Sequence, residues 1–326
     1  MEGKLSIATL ENQHRDIFIR AVTNVLSSQI AEVTYAQIVD GLPLSDTAFD
    51  VYRSCVCVGH PLLDEHQELC PGVIEHAREL GANFDAGALE MDSRLVHDYQ
   101  SASPGSRGFN TRLIELVARA VHEIAVWLYK QDTNRHKDDA FGLWRPPQDE
   151  VRFFPHTFPS TLLCHAWYRD HDQYPEGIAD CVGYWAEARI FGGVVLFDRR
   201  DPETPDAVYL HPDRRDVIYR IYRLLDDQKH KLLQFMLCDT TPAECPLPLL
   251  PSDNNRHRVD PEEAIETTGI YRDRWERRLR PLKSGDARIK DVIDTWNYLS
   301  FEDWRDATRR GRRARRERKA KERGLG

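Results

Sequence analysis

"TRLIELVARAVHEIAVWLYK", residues 111 to 130, constrains the fold more than any other stretch of the chain. A helix here is apolar nearly all round. It has no face to give to water, so it has to lie at the centre with other elements packed about it. A chain of 326 residues supplies that surrounding, as one large domain or two ordinary ones. With 41% hydrophobic and 30% charged residues it reads as a globular rather than a disordered chain. No run reaches the roughly eighteen apolar residues of a membrane span. The start, Met1-Glu-Gly-Lys-Leu-Ser, lacks the apolar segment of a secretory signal, so the expected location is the cytoplasm, with no membrane partner. Seven cysteines, few and odd in number, argue against a disulfide framework.

Around the central helix the chain alternates. Residues 5 to 30 read as helical, and "GVIEHARELGAN" (72 to 83) reads as a helix stopped by Gly81. "RSCVCVGHP" (53 to 61) reads as a short buried strand ended by Gly59 and Pro61. In "GYWAEARIFGGVVLFDR" (183 to 199) the apolar run 190 to 197 reads as a second buried strand. "AVYLHP" (207 to 212) is extended, "DVIYRIYRLLDDQKHKLLQFMLC" (216 to 238) turns helical in its second half, and "PAECPLPLLPSD" (242 to 253) is a Pro-rich linker. Residues 131 to 150 look like an exposed excursion.

Short, continuously apolar strands interleaved with long helices predict an α/β fold: a Rossmann-like parallel sheet flanked by helices. Such sheets bind ligands at the carboxyl ends of their strands, which directs attention to Gly59-His60-Pro61 and Asp198-Arg199-Arg200. The organisation expected is one α/β domain over 1–300 and a basic helical tail over 301–326.

The net charge of −8 is unevenly spread. From Ile270 onward there are 19 Lys+Arg against 10 Asp+Glu, and the rest of the chain holds 26 against 43. The basic region has two parts. "YRDRWERRLRPLK" (271 to 283) sets Tyr271 and Trp275 among arginines that include Arg274, Arg277 and Arg278. "RRGRRARRERKAKER" (309 to 323) carries Arg309, Arg310, Arg312, Arg313, Arg315 and Arg316. Arginine at this density suits the phosphates of a nucleic acid. A nuclear-localisation signal and a solvated tail fit the same composition.

The densest group of metal-ligating residue types is "CVCVGHPLLDEHQELC", with Cys55, Cys57, His60, Asp64, His66 and Cys70. Structural zinc sites usually draw on cysteine pairs held on knuckles. Cys55 and Cys57 alternate on an expected strand and read better as small core residues. No second cysteine pair completes a site, so no metal is expected. His60 stands where strand gives way to loop; a functional side chain and a plain loop histidine are both open there. No HExxH, P-loop, GxGxxG or GxSxG motif is present, so nothing supports a zincin, a P-loop NTPase, a dinucleotide-dependent oxidoreductase or an α/β-hydrolase.

Tyr184 and Glu187 stand three apart, which on a helix puts them on one face. A phenol and a carboxylate aimed together into a cleft serve an amine as acid, base or orienting dipoles. The alternative is a helix end whose tyrosine packs and whose glutamate meets water. Gly192-Gly193 beyond them permit close approach of a ligand or of another backbone.

"YPEGIADCVGYWAEARIFGGVVLFDR" and "VYLHPDRRDVIYRIYRLL" resemble fungal proteins that include the arginine-containing cyclodipeptide synthases, over about residues 50 to 240. That resemblance implies an aminoacyltransferase that joins arginine to a second amino acid as a diketopiperazine. Both would come from aminoacyl-tRNAs, with no cofactor and no obligate protein partner. It also implies functional similarity to bacterial cyclodipeptide synthases, whose fold looks like the catalytic domain of class I aminoacyl-tRNA synthetases. The bacterial Gly-x-Ser-Pro turn is matched only by Val58-Gly59-His60-Pro61, without the acyl-accepting serine. Direct attack of one amine on the other ester, or acyl transfer to Cys57 or His60, would replace it. The bacterial tyrosine and glutamate lie four apart, against three for Tyr184 and Glu187, which would hold and deprotonate the attacking amine. Gly59, Gly192 and Gly193 would border the substrate, and Asp198 or Glu187 would select its guanidinium. A non-catalytic RNA-binding or nuclear protein is the alternative, and a zinc hydrolase built on residues 55 to 70 a more distant one.

Overall fold

A computed structural model describes residues 3–51, 56, 59–145, 159–200, 207–215, 217–240, 244–261, 263, 265–277 and 300–322. In chain order come β1 (Lys4–Ser6), α1 (Asn12–Leu26), α2 (Gln29–Asp40), the short α3 (Ser45–Phe49) and α4 (Leu62–Glu65), and α5 (Val73–Asn83). They are followed by β2 (Glu90–Asp92), α6 (Ser93–Ser101), α7 (Arg107–Lys130), α8 (Ala140–Leu143), α9 (Ile178–Phe191) and β3 (Val194–Asp198). The remainder is β4 (Val208–His211), β5 (Ile221–Arg223), α10 (Asp226–Leu237), β6 (Arg258–Val259), α11 (Ile265–Thr268), β7 (Ile270–Tyr271) and α12 (Phe301–Glu322).

The all-round apolar helix is central, as its composition requires. Helix α7 packs against α9, α1, α2 and α6. Leu113, Leu116, Val117, Val121 and Ala125 are fully buried in the main core. Each such leucine or valine contributes about 1.5–3 kcal/mol of apolar transfer, which outweighs the cost of holding a few polar groups among them. Ser106 starts the helix by accepting the amide of Phe109 at 3.2 Å.

Residues 5 to 30 do not form one helix. The first few pair antiparallel with β2, and Ser28 opens α2 by accepting the amide of Ala31 at 3.3 Å. Side-chain capping by serine ended one helix and began another where apolar spacing alone ran on.

The parallel sheet is overturned. The main sheet runs β6-β5-β4-β3-β7, every pairing is antiparallel, and the whole is a half-barrel. It is neither Rossmann-like nor the sheet of a class I synthetase catalytic domain. The strands misled because this sheet is covered on both faces. Along β3, Val195 and Phe197 enter the main core beneath α7 and α9. Val194 and Leu196 point the other way, into a second core with Tyr168, Tyr184 and Tyr209. Side chains alternate, but with apolar cover on both sides the run still reads as continuous.

The apolar run 190 to 197 also divides. Ile190 and Phe191 finish α9, and Gly192 ends it in the left-handed conformation at φ 95°. A Cβ on Gly192 would stand 2.3 Å from the carbonyl oxygen of Leu249, and one on Gly193 would stand 2.8 Å from the backbone of His211. Both glycines serve close backbone packing. The excursion after α7 folds back onto the body, with the Arg135 amide donating to the carbonyl of Asp40 at 2.9 Å. Cys164 is disulfide-bonded, so the cysteines are not uniformly free. No described helix is long and apolar enough to cross a membrane.

Candidate functional site

Asp180, Tyr184 and Glu187 follow one another at i, i+4 and i+7, so α9 presents all three on one face. Opposite them α7 brings His122. Its Nδ1 lies 2.9 Å from Glu187 Oε1 and its Nε2 lies 2.9 Å from Asp180 Oδ1. Gly183 makes room for the ring, since a Cβ there would stand 2.5 Å from His122 Nε2. From the turn after β7, Arg272 donates through Nη1 to Glu187 Oε1 at 2.7 Å. The second Glu187 oxygen accepts the amide of Val195 at 3.3 Å, which ties the network to the start of β3. The chain of charge continues through Asp273, 2.7 Å from Arg119 of α7. One turn before Arg119 on α7, the carboxylate of Glu115 is held by Arg112 and Arg199.

Burial sets the electrostatics. Glu187 has no exposed surface, His122 is 6% exposed and Arg272 5%. Burial alone would raise the Glu187 carboxyl, but the Arg272 charge and the His122 hydrogen bond outweigh it and hold the group below its ordinary range. For His122 burial favours the neutral ring. The hydrogen bonds to Asp180 and Glu187, with the Glu187 charge, overcome that and raise it to about 9. Because a carboxylate only accepts, an imidazole flanked by two of them carries both protons. The centre is therefore an imidazolium and a guanidinium set between carboxylates, an alternating arrangement that low dielectric strengthens while every member is paired.

Tyr184 packs against this network. Its ring stacks on Tyr168 at 4.5 Å, meets the His122 ring edge-on at 4.6 Å and lies under the Arg272 guanidinium at 5.3 Å. Its hydroxyl is buried and has no hydrogen-bond partner among the described residues. Five other buried tyrosines are satisfied: Tyr35, Tyr99, Tyr174 and Tyr222 donate to backbone carbonyls, and Tyr168 bonds His211. An orphaned buried hydroxyl costs about 1–3 kcal/mol. Burial also raises the phenol well above its ordinary value, so it stays protonated. At the amino end of α9, a groove of about 370 Å³ is bordered by Gly41, Lys130, Asn134, Glu176, Ile178 and Ala179. The Glu176 amide there donates to Asp180 Oδ2 at 2.8 Å.

The structure brings Tyr184 and Glu187 together on the expected face, fully inside. Neither oxygen of Glu187 is left for an incoming amine. His60 is elsewhere: its Nδ1 accepts the amide of Leu62 at 3.1 Å, its ring meets Trp144, and burial lowers its basicity. Gly59 is exposed with φ 84° and open space around it, and Cys57 lies outside the described residues. Asp198 is occupied by Arg200, whose bond holds its carboxyl low.

The basic segment at 271 to 283 is not the surface cluster its composition suggests. Arg272 belongs to the buried network, and Arg277 is buried with its Nη2 donating to the carbonyl of Ile270 at 2.8 Å. Arg274 is exposed, and Arg278 lies outside the described residues. In α12, Arg309, Arg312, Arg313 and Arg316 are exposed along a 22-residue helix. Nothing is described of the side chains of Arg310 and Arg315.

Sequence reading missed His122, Asp180 and Arg272. Asp180 was legible from its spacing to Tyr184 and Glu187. His122 was legible as the polar residue in the most apolar helix. The pairing of Arg272 with Glu187 spans 85 positions and has no local signal.

No protein-family model, no curated protein and no solved structure matches the chain.

Proposed function

We propose that the chain is an aminoacyltransferase that condenses arginine and a second amino acid, both taken from aminoacyl-tRNAs, into a diketopiperazine. The observation that carries this reading is the Tyr184 hydroxyl, buried without a partner at the edge of the Asp180–His122–Glu187–Arg272 network. A polar group kept unsatisfied at such cost suits a site that becomes complete when a ligand binds. The architecture implied by the family resemblance is absent, so the proposal rests on the α9 residues and not on a shared fold.

In this reading the phenol of Tyr184 orients the attacking α-amine. An α-amino group titrates at about 7.7–8.0, so a usable neutral fraction exists near pH 7 without a strong base. Amine nitrogen attacks the ester carbonyl of the other aminoacyl-tRNA. The bond to the ribose oxygen breaks, and that oxygen leaves with the proton the amine gives up. A second attack of the same kind closes the ring and frees the other tRNA. Glu187, with both oxygens engaged, is a positioning residue that fixes His122 and Arg272 around the phenol. The exposed arginines of α12 would meet tRNA phosphates.

Expression in a bacterium and mass analysis of its small-molecule extract test the proposal. An arginine-containing diketopiperazine, absent from a Tyr184→Phe culture of equal protein level, is the expected outcome. The saturation of Glu187 by internal bonds favours a second reading, an RNA-binding protein without catalysis. RNA binding by folded protein with no such product would decide for it.

A further inference from the structure

Four donors of metal-ligating type converge at the carboxyl end of α2, away from the α7–α9 network. Asp40, the last residue of α2, is fully buried, and His66 and His136 are 4% and 5% exposed. One ligand atom from each lies within 4.8 Å of the others. His66 Nε2 is 3.2 Å from Asp40 Oδ2, and His136 Nε2 is 3.5 Å from Asp40 Oδ1. Cys70 adjoins two of them: its Sγ is 3.4 Å from His136 Nε2, and its thiol hydrogen-bonds Asp40. Tetrahedral zinc with bonds of about 2.0–2.1 Å to N or O and 2.3 Å to S has edges of about 3.3 to 3.6 Å. The Asp40–His66, Asp40–His136 and Cys70–His136 distances fall close to that range, and Cys70, outside the 4.8 Å group formed by the other three, would draw in when the ion binds.

The outer contacts fix which nitrogen faces inward. His66 Nδ1 lies 3.0 Å from the carbonyl oxygen of Pro43, and His136 Nδ1 lies 2.6 Å from Asp139 Oδ2. Both partners only accept, so each Nδ1 carries a proton and Nε2 is the nitrogen that each ring turns to the cluster. Both Nε2 atoms then face one buried carboxylate, whose Oδ1 has no hydrogen-bond partner among the described residues. A divalent cation among them would replace any Nε2 proton and engage that free oxygen. A histidine held from behind by a carboxylate or a backbone carbonyl is also how metal-binding imidazoles are oriented.

We propose that Asp40, His66, Cys70 and His136 bind one zinc ion, which pins the carboxyl end of α2, the turn after α4 and the loop after α7 to one another. Two imidazoles, one carboxylate and one thiolate suit zinc in softness and number, and four protein donors make a closed, structural site. Binding releases the Cys70 proton to solvent. The expectation of no metal was argued from Cys55 and Cys57, which lie outside the described residues. Two of the four donors here, Asp40 and His136, were not among the residues singled out in the sequence.

The test uses the full chain. Elemental analysis after dialysis should find about one zinc per chain, and chelation should lower the melting temperature by several degrees, restored by added zinc. Cobalt exchanged into the site should give a thiolate charge-transfer band that Cys70→Ser abolishes. Asp139→Asn, which keeps the amide-accepting oxygen that starts α8, should weaken zinc binding about 10- to 100-fold while leaving the fold intact. Metal-free protein that is folded and melts at the same temperature with and without zinc would overturn the proposal. A charge-transfer band that survives Cys70→Ser would overturn the assignment of Cys70.

Discussion

His122 gives the most quantitative expectation. Its ordinary value of 6.5 is raised to about 9 by Asp180 and Glu187 against the opposing effect of burial. A folded-state value above the unfolded one means that the protonated ring stabilises the fold. The contribution is present in full below about pH 6.5 and is lost as pH rises through about 9. The separation corresponds to roughly 3 kcal/mol, a substantial share of the 5–15 kcal/mol of an ordinary domain. The perturbation is therefore pH itself, with urea unfolding measured at intervals between pH 6 and 10. Cys181, pushed up to about 12 with burial the largest cause, also costs stability in the alkaline part of the same range. A His122→Gln comparison separates them, because only the histidine's share should vanish from the pH dependence. Proton NMR of the imidazole reads the same group directly. A His122 midpoint at or below 7 would refute the doubly protonated ring and the reasoning built on it.

Two changes on α9 should part company. Tyr184→Phe removes an unsatisfied hydroxyl, so stability should stay level or rise by up to about 1 kcal/mol while product formation falls, and thermal melts with product yield check both. Glu187→Gln leaves His122 and Arg272 without their shared anion and should cost about 3–5 kcal/mol; it should also lower the His122 midpoint, which a merely space-filling role for Glu187 would not do. Ending the chain after Trp304 removes eleven Lys+Arg and three Asp+Glu. The shortened protein should melt normally but bind tRNA more weakly, with a shallower dependence on salt, and superimposable salt curves would remove α12 from the RNA contact.

Legibility from sequence followed the range of the physics. Helix α7 and the shared face of Tyr184 and Glu187 were readable because helical periodicity is local. The sheet direction was not, since burial of β3 on both faces gives the same apolar run in either arrangement. The end of α9 was misplaced because Ile190 and Phe191 look alike in helix or strand, and the C-terminal glycine Gly192 decides between them. At 271 to 283, composition indicated a phosphate-binding surface, whereas Arg272 and Arg277 point inward to partners or carbonyls fixed by tertiary packing. The Asp40–His66–Cys70–His136 cluster joins residues up to 96 positions apart and follows no short motif.

The most direct measurement is made with purified full-length protein, arginyl-tRNA and a mixture of the other aminoacyl-tRNAs prepared separately. Mass spectrometry should detect a cyclic dipeptide containing arginine, dependent on arginyl-tRNA and formed without ATP, together with release of uncharged tRNA. Folded protein that binds these tRNAs and returns them fully charged, with no cyclic product, would contradict the account.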